Sequence, residues 1–321
     1  MDSNSEILEI DANAARQYID AVATFEAWEE AQAEAVQVRG SMYWHKSPTG
    51  DPAAAYLVRK SASGSDTSLG RRSPETEAIY ERFVQRKAEA AERLKGLKES
   101  LELHRRMNRA LRVGRVDPLV VAVLTKLEAS GLSEHFRVVG THALYAYEAA
   151  AGVRFAADAL ATRDIDLLWD VRKRLQFATT LQRIDSSMLG VFQQVDKTFR
   201  RRAKQLYTAV NKDGFEIDIL RREQTADDPH PVKLSDAEED FYAVQAPKAH
   251  LLMDAPRFSA VVVATNGTMA RMHTLHPMHF VRFKTWMSKL EGREAIKRSR
   301  DALQARLVET VVAQYLPHLR G

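Results

Sequence analysis

The stretch Arg163-Asp164-Ile165-Asp166-Leu167-Leu168 decides the reading of this chain. Side chains of a strand alternate between faces with period 2, so Asp164 and Asp166 point one way while Ile165 and Leu167 point into a core. Carboxylates at i and i+2 of a strand stand roughly 7 Å apart and repel each other unless a cation neutralises them. Hard oxygen donors of this kind suit Mg²⁺, or Mn²⁺ in its place. The same alternation also describes an acidic row on an ordinary solvated strand, so the flanking sequence has to decide.

Upstream, Phe136-Arg137-Val138-Val139 reads as a short apolar strand running into Gly140-Thr141. His142 to Ala151 then has helical composition and stops at Gly152. A strand, a glycine turn and a helix start in that order offer unpaired backbone N–H groups at the positive end of a helix dipole, where a phosphate can dock. Downstream, Asp213-Gly214 signals a turn into a second alternating strand, Phe215-Glu216-Ile217-Asp218-Ile219-Leu220. Asp218 is the third carboxylate.

These residues together resemble the nucleotidyltransferase superfamily of DNA polymerase beta: a strand ending in Gly-Ser or a variant of it, a helix, Asp-x-Asp on the next strand, and a third Asp on a later one. The closer resemblance is to a group of bacterial nucleotidyltransferase-fold proteins. Its pattern extends upstream into Ser68-Leu69-Gly70-Arg71-Arg72-Ser73-Pro74-Glu75-Thr76-Glu77, and downstream into Arg293, Lys297, Arg300-Asp301 and Gln304-Ala305. The superfamily motif spans about a quarter of the chain and the closer resemblance most of it. Thr141 stands where the superfamily commonly has Ser; the hydroxyl is kept and a methyl is added. The resemblance implies a small mixed sheet and a set of roles. Asp164 and Asp166 would bind the metal that holds an NTP triphosphate. Asp218 would help hold a second ion and activate the acceptor hydroxyl, and Gly140 and Thr141 would hold phosphate oxygens. The closer group also carries a lysine at the position of Lys284, whose ammonium is then expected near the triphosphate or the acidic centre; the plain alternative is a surface lysine lying along its helix.

Composition sets the bounds. The chain has 321 residues with 45% apolar content, enough for two or three domains with a sizeable core. It has no cysteine, which excludes disulfides and zinc–thiolate sites. An acidic amino terminus and the lack of a long apolar run lead to the expectation of a cytoplasmic protein with no membrane partner. A net charge of +4 with pI near 9.1 permits a nucleic-acid partner without requiring one.

Along the chain, Ile10 to Val38 reads as one or two amphipathic helices ending near Gly40, and Ser41 to Lys60 as a hairpin with a long turn at 47–52. Lys60 to Arg72 is polar and small-residue-rich. It reads either as a mobile linker or as a loop in which Arg71 and Arg72 meet anionic oxygens of nucleotide or acceptor. Ser73 caps a long helix that starts at Pro74 and runs to about Leu111, and Asp117-Pro118 opens another that ends near Gly131. Arg200-Arg201-Arg202-Ala203-Lys204 forms a basic cluster ahead of the strand containing Tyr207, and Glu223 to Glu239 reads as a loop. Phe258 to Thr265 and Thr268 to Leu275 form a hairpin around Asn266-Gly267. Helices follow from Pro277 through Leu290 and from Arg293 to Leu316.

The expected fold class is therefore α+β: a small mixed β-sheet nucleotidyltransferase core, residues 131–225, between a hairpin and helical region at 1–130 and another at 226–321. His273, His276 and His279 are close in sequence, but Pro277 interrupts them and no cysteine completes a zinc site. Phe280, Phe283 and Trp286 fall at helical spacing and read as core.

The function expected is metal-dependent transfer of an NMP from an NTP to an acceptor hydroxyl with release of pyrophosphate. The arginine clusters at 71–72, 200–202 and 221–222 point to RNA or another polyanion as acceptor. The rivals are a nucleotide- or partner-binding protein that keeps the fold without turnover, and a nucleic-acid-binding regulator.

Overall fold

The computed structural model describes residues 6–46, 54–61, 64–160, 162–225 and 230–320. The chain divides into two compact units, one made of Met1–Ala15 with Asn108–Gly321 and the other of Arg16–Met107. It opens with β1 (Ile7–Glu9) and α1 (Ala12–Gln37).

Within the second unit, β2 (Ser41–His45), β3 (Tyr56–Lys60) and β4 (Asp66–Arg71) form an antiparallel sheet in that order, and α2 (Pro74–Ala110) begins after it. The hairpin β2–β3 is as expected, and its turn at 47–52 lies outside the described residues. The stretch read as a polar loop is instead the edge strand β4, paired with β3 from Lys60↔Asp66 to Tyr56↔Arg71. It carries no apolar alternation because both its faces are open to solvent, so nothing in its composition marks it as a strand. Ser73 caps α2, accepting the Thr76 N–H at 3.3 Å.

The first unit starts its globular part with α3 (Pro118–Ala129), capped by Asp117, which accepts the Leu119 N–H at 2.7 Å. Then come β5 (Phe136–Val139), a 3₁₀ turn at Gly140–Ala143, and α4 (Leu144–Ala151), which ends on the left-handed Gly152. β6 (Val153–Phe155) pairs with β1, and α5 (Ala157–Leu160) leads to β7 (Asp164–Trp169). α6 (Arg174–Arg183), α7 (Met188–Gln193), β8 (Arg200–Arg201) and β9 (Thr208–Val210) make the crossover to β10 (Glu216–Arg221). The basic cluster thus begins a strand, and Tyr207 lies one residue ahead of the next. After β11 (Val244–Gln245) and α8 (Ala249–Asp254), β12 (Arg257–Val263) and β13 (Met269–Leu275) form the hairpin that Asn266-Gly267 announces. α9 (Pro277–Met287) and α10 (Ala295–Gln314) complete the unit.

The central sheet runs β5-β7-β10-β9-β8, with β11 also on β10. β7 and β10 are parallel, whereas β5–β7 and β10–β9 are antiparallel, so the sheet is mixed and the fold is α+β. A parallel pair needs a long crossover, which the 46 residues from Asp170 to Phe215 supply. One face of the sheet, with Ile165, Leu167, Trp169, Ile217 and Ile219, packs on α3, α6 and α7. That core also takes in Val262 and Met272 of the β12–β13 hairpin. Residues on either side of positions 130 and 225 therefore share one core. No helix among the described residues is long and apolar enough to cross a membrane.

Candidate active site

On the other face of the sheet the alternation of β7 and β10 sets out four acidic side chains. The two strands pair in register, Asp164↔Glu216 and Asp166↔Asp218, about 4.8 Å apart as parallel neighbours are. Since i and i+2 share a face, the four form a two-by-two patch at the start of both strands. Farther along, the same face becomes apolar: Leu168 and Leu220 lie under Ala249, Leu252 and Met253 of α8 and Phe283 of α9. One corner of the patch is already neutralised, because Glu216 forms an ion pair with Arg202 at 2.6 Å. Three carboxylates remain, those named by the sequence.

Each of the three sits differently. Asp164 accepts the hydroxyl of Thr162. Asp218 accepts the hydroxyl of Thr208, its partner across β9–β10, at 2.6 Å. Burial raises the Asp218 carboxyl above its ordinary range; the Thr208 bond works against that, and Asp164 and Glu216 add to it. Asp166 is pushed up to about 7 by burial, then by the charges of Asp164 and Asp218, with Lys284 and Arg293 opposing. The site therefore lacks positive charge that its own cations only partly provide.

Gly140 closes over this patch. Its φ is +67°, and a Cβ there would overlap Oδ2 of Asp166. A glycine is needed on both counts, so the strand–turn–helix element and the acidic strand are fitted together at this residue. The turn enters α4 through 3₁₀ geometry, which places the buried Thr141 beside α10. There the amide nitrogen of Gln304 donates to Thr141 Oγ1 at 3.1 Å and to the Ala159 carbonyl at 2.7 Å.

Lys284 is buried, not a surface lysine. Its ammonium donates to Asp301 Oδ1 at 2.8 Å, and Arg293 donates to Asp301 Oδ2 at 2.6 Å. Burial pulls the Lys284 ammonium below its usual range, against the holding effect of Asp301 and of Asp166. Asp166 is thus one of the charges that act on the Lys284 ammonium. Arg293, Asp301 and Gln304 enter the sequence reading only as part of the closer resemblance, without a role; the signal in the residues themselves is Asp301 and Gln304 falling one turn apart on an otherwise apolar helix face.

Other expected residues lie elsewhere. Arg71 belongs to the other unit, where its Nε donates to Tyr56 Oη at 2.8 Å and its guanidinium covers the Tyr56 ring. Arg221 is fully buried, with its Nη2 at 2.8 Å from His230 Nδ1, so it is no part of a polyanion track. Its position gives the reason: Ile217, Ile219 and Arg221 share the core face of β10. Arg201 donates to the Glu238 and Asp240 carbonyls. Of that cluster Arg200, Arg202 and Lys204 are exposed, and Arg202 is the one paired with Glu216. A cavity of about 740 Å³ opens between α6 and residues 231–239, and none of the glycine, threonine or acidic residues above lines it.

Three partly buried carboxylates short of positive charge have the donor type and charge that a hard divalent cation requires. Among the described residues no three His, Asp or Glu side chains are grouped closely enough to form a finished cage. A cation here would draw Asp164 and Asp218 from their threonine partners. In type and charge the residues fit such an ion, and Asp164 and Asp166, with Asp218, are those that would hold it.

No curated protein and no solved structure matches the chain. A family model described as Nucleotidyltransferase matches residues 119–320, from the first turn of α3 to the residue before the last, which includes every member of the acidic site. That match covers well over half of the 321 residues, and the chain belongs to this nucleotidyltransferase family.

Proposed function

We propose that the chain is a metal-dependent nucleotidyltransferase with a polymerase-beta-like site, moving an NMP from an NTP to an acceptor hydroxyl and releasing pyrophosphate. The observation that carries this reading is the in-register placement of Asp166 beside Asp218 on parallel strands, with Gly140 closed over Asp166. Mg²⁺ or Mn²⁺, when bound, would screen the charge of the triphosphate and favour its departure as pyrophosphate.

The residues of the chain do the rest. Asp164 and Asp166 would hold the cation against which the triphosphate lies. Gly140 lets the backbone come close to the phosphates, and the Thr141 hydroxyl donates to a phosphate oxygen. Lys284, held by Asp301, faces the negative charge of the leaving group. Asp218 takes the proton of the acceptor hydroxyl. The acceptor oxygen then forms a bond to the α-phosphorus as the α–β bridging bond breaks in line, and the electron pair leaves with pyrophosphate.

We propose RNA as the acceptor, with the exposed Arg200 contacting its phosphates. Incubation with each labelled NTP, Mg²⁺ or Mn²⁺, and separate RNA, protein and metabolite fractions tests both parts. Label in RNA, lost in Asp164→Asn, supports the full reading. Label in protein or metabolite alone removes the RNA acceptor, and absence of label in every fraction removes the transferase.

A further inference from the structure

Gln304 is fully buried in α10, 163 residues from Thr141 in sequence, and its amide nitrogen is held by two partners. The Ala159 carbonyl can only accept, so the atom 2.7 Å from it has to be the amide nitrogen and not the amide oxygen. The same nitrogen is 3.1 Å from Thr141 Oγ1, so the threonine oxygen receives a proton from Gln304. Among the described residues, that hydroxyl makes no second hydrogen bond. The opposite end of the amide, Oε1, is buried with no partner. An orphaned buried acceptor costs about 1–3 kcal/mol, which a methionine or leucine of similar size would avoid at Oε1 only by leaving the Ala159 carbonyl without its donor. A group retained at such a cost asks for a reason beyond packing.

We propose that Gln304 is a positioning residue: by donating to Thr141 Oγ1 it turns that hydroxyl's own hydrogen outward, as a donor for a phosphate oxygen of the bound NTP. The inference rests on the nucleotidyl-transfer reading and deepens it. Phosphate oxygens accept and do not donate, so a threonine that served as a donor to Ala159 would have nothing to offer them. With both amide hydrogens directed at Ala159 and Thr141, the carbonyl is already satisfied and the threonine acts inward only as an acceptor. A hydroxyl that accepts one hydrogen bond also donates a stronger one. The methyl of Thr141 restricts χ1, so the oxygen's position and its proton's direction are set by different neighbours.

The test is a double-mutant cycle on NTP binding by the full chain, using Thr141→Val, Gln304→Met and the double variant. The probes are non-cleavable α,β-methylene NTPs with Mg²⁺, read by titration calorimetry, with thermal melting run in parallel. Each single variant is expected to weaken binding about tenfold, as loss of one hydrogen bond to a charged group does. The double variant is expected to bind no worse than either single one, because both remove the same bond. A merely structural Gln304 would lower the melting temperature and weaken binding by the same factor whether or not Thr141 is present. That additive result, or unchanged affinity in Gln304→Met, overturns the inference and leaves nucleotidyl transfer standing. Failure of the unsubstituted protein to bind any NTP overturns both. Gln304→Asn keeps a buried amide but is one methylene too short to reach Thr141, and it provides the same cycle if the methionine variant does not fold.

Discussion

Asp166 and Asp301 are both carboxylates withdrawn from water in the same unit, and they face opposite surroundings. Asp301, fully buried, has a cation on each oxygen, Lys284 at 2.8 Å and Arg293 at 2.6 Å. Asp166 has Asp164 and Asp218 for neighbours and is pushed up to about 7 by burial and by those two charges. The difference separates a carboxylate that holds structure from one that is held by structure for something else. The carboxylate of the buried triad is satisfied from within by its two cations, whereas a repelling patch kept in register by two strands would be relieved by an added positive charge.

The largest expected effect falls on the satisfied carboxylate. Asp301→Asn leaves Lys284 and Arg293 facing each other without a counter-charge, and denaturant unfolding should show a loss of about 3–5 kcal/mol. An unchanged midpoint would mean that the triad holds nothing together.

Asp166→Asn should move stability the other way. The carboxyl is raised from the ordinary 3.8 to about 7, so the folded chain binds its proton more tightly than the unfolded chain does. Asp166 therefore makes stability fall as pH rises between those values, and its penalty is complete above about pH 7. The Asn variant should gain about 1–3 kcal/mol at pH 8 and nothing at pH 3, while nucleotidyl transfer drops at least about a hundredfold. Glu148, also raised to about 7 by burial despite Arg115, gives a slope of the same sign, so the Asp166 share is the difference between the two proteins. Equal pH profiles of melting temperature would remove this assignment.

Next in size is the cation. Mg²⁺ at about a hundred times its dissociation constant should stabilise the unsubstituted protein at pH 8 by about 2.7 kcal/mol, and should do much less for Asp166→Asn. Equal stabilisation of the two by Mg²⁺ places the ion elsewhere.

The smallest effect belongs to the neutralised corner of the patch. Arg202 is exposed and Glu216 half-buried, so the pair stays in contact with solvent and Arg202→Ala should change stability by no more than about 1 kcal/mol. It also returns Glu216 to the acidic patch, and tighter Mn²⁺ binding in the variant is the expected sign of a fourth available carboxylate.

The two carboxylates also differ in how far they could be read from sequence. Asp164, Asp166 and Asp218 are legible because a local pattern fixes each one: period-2 alternation gives the face, and Asp213-Gly214 gives the start of the strand. The glycine turn after β5 and the Asn-Gly hairpin are legible for the same reason. What pairs with what is a matter of tertiary geometry. Nothing local shows that β7 and β10 are adjacent and in register, that Glu216 is taken up by Arg202, or that Gln304 meets Thr141. Where a local pattern was available and was overridden, the error follows: Arg221 was grouped with its basic neighbour Arg222, although the alternation of Ile217 and Ile219 already assigns it to the core face.

The distance in sequence between Thr141 and Gln304 has a further consequence for synthesis. The acidic strands, the glycine turn and the first core leave the ribosome well before α10, and domains fold as their residues become available. Until α10 docks, Lys284 lacks its counter-ion and Thr141 lacks the group that orients it. A nascent chain can therefore have its carboxylates in register while the residues proposed to meet the triphosphate are still unplaced, and their arrangement arrives with α10.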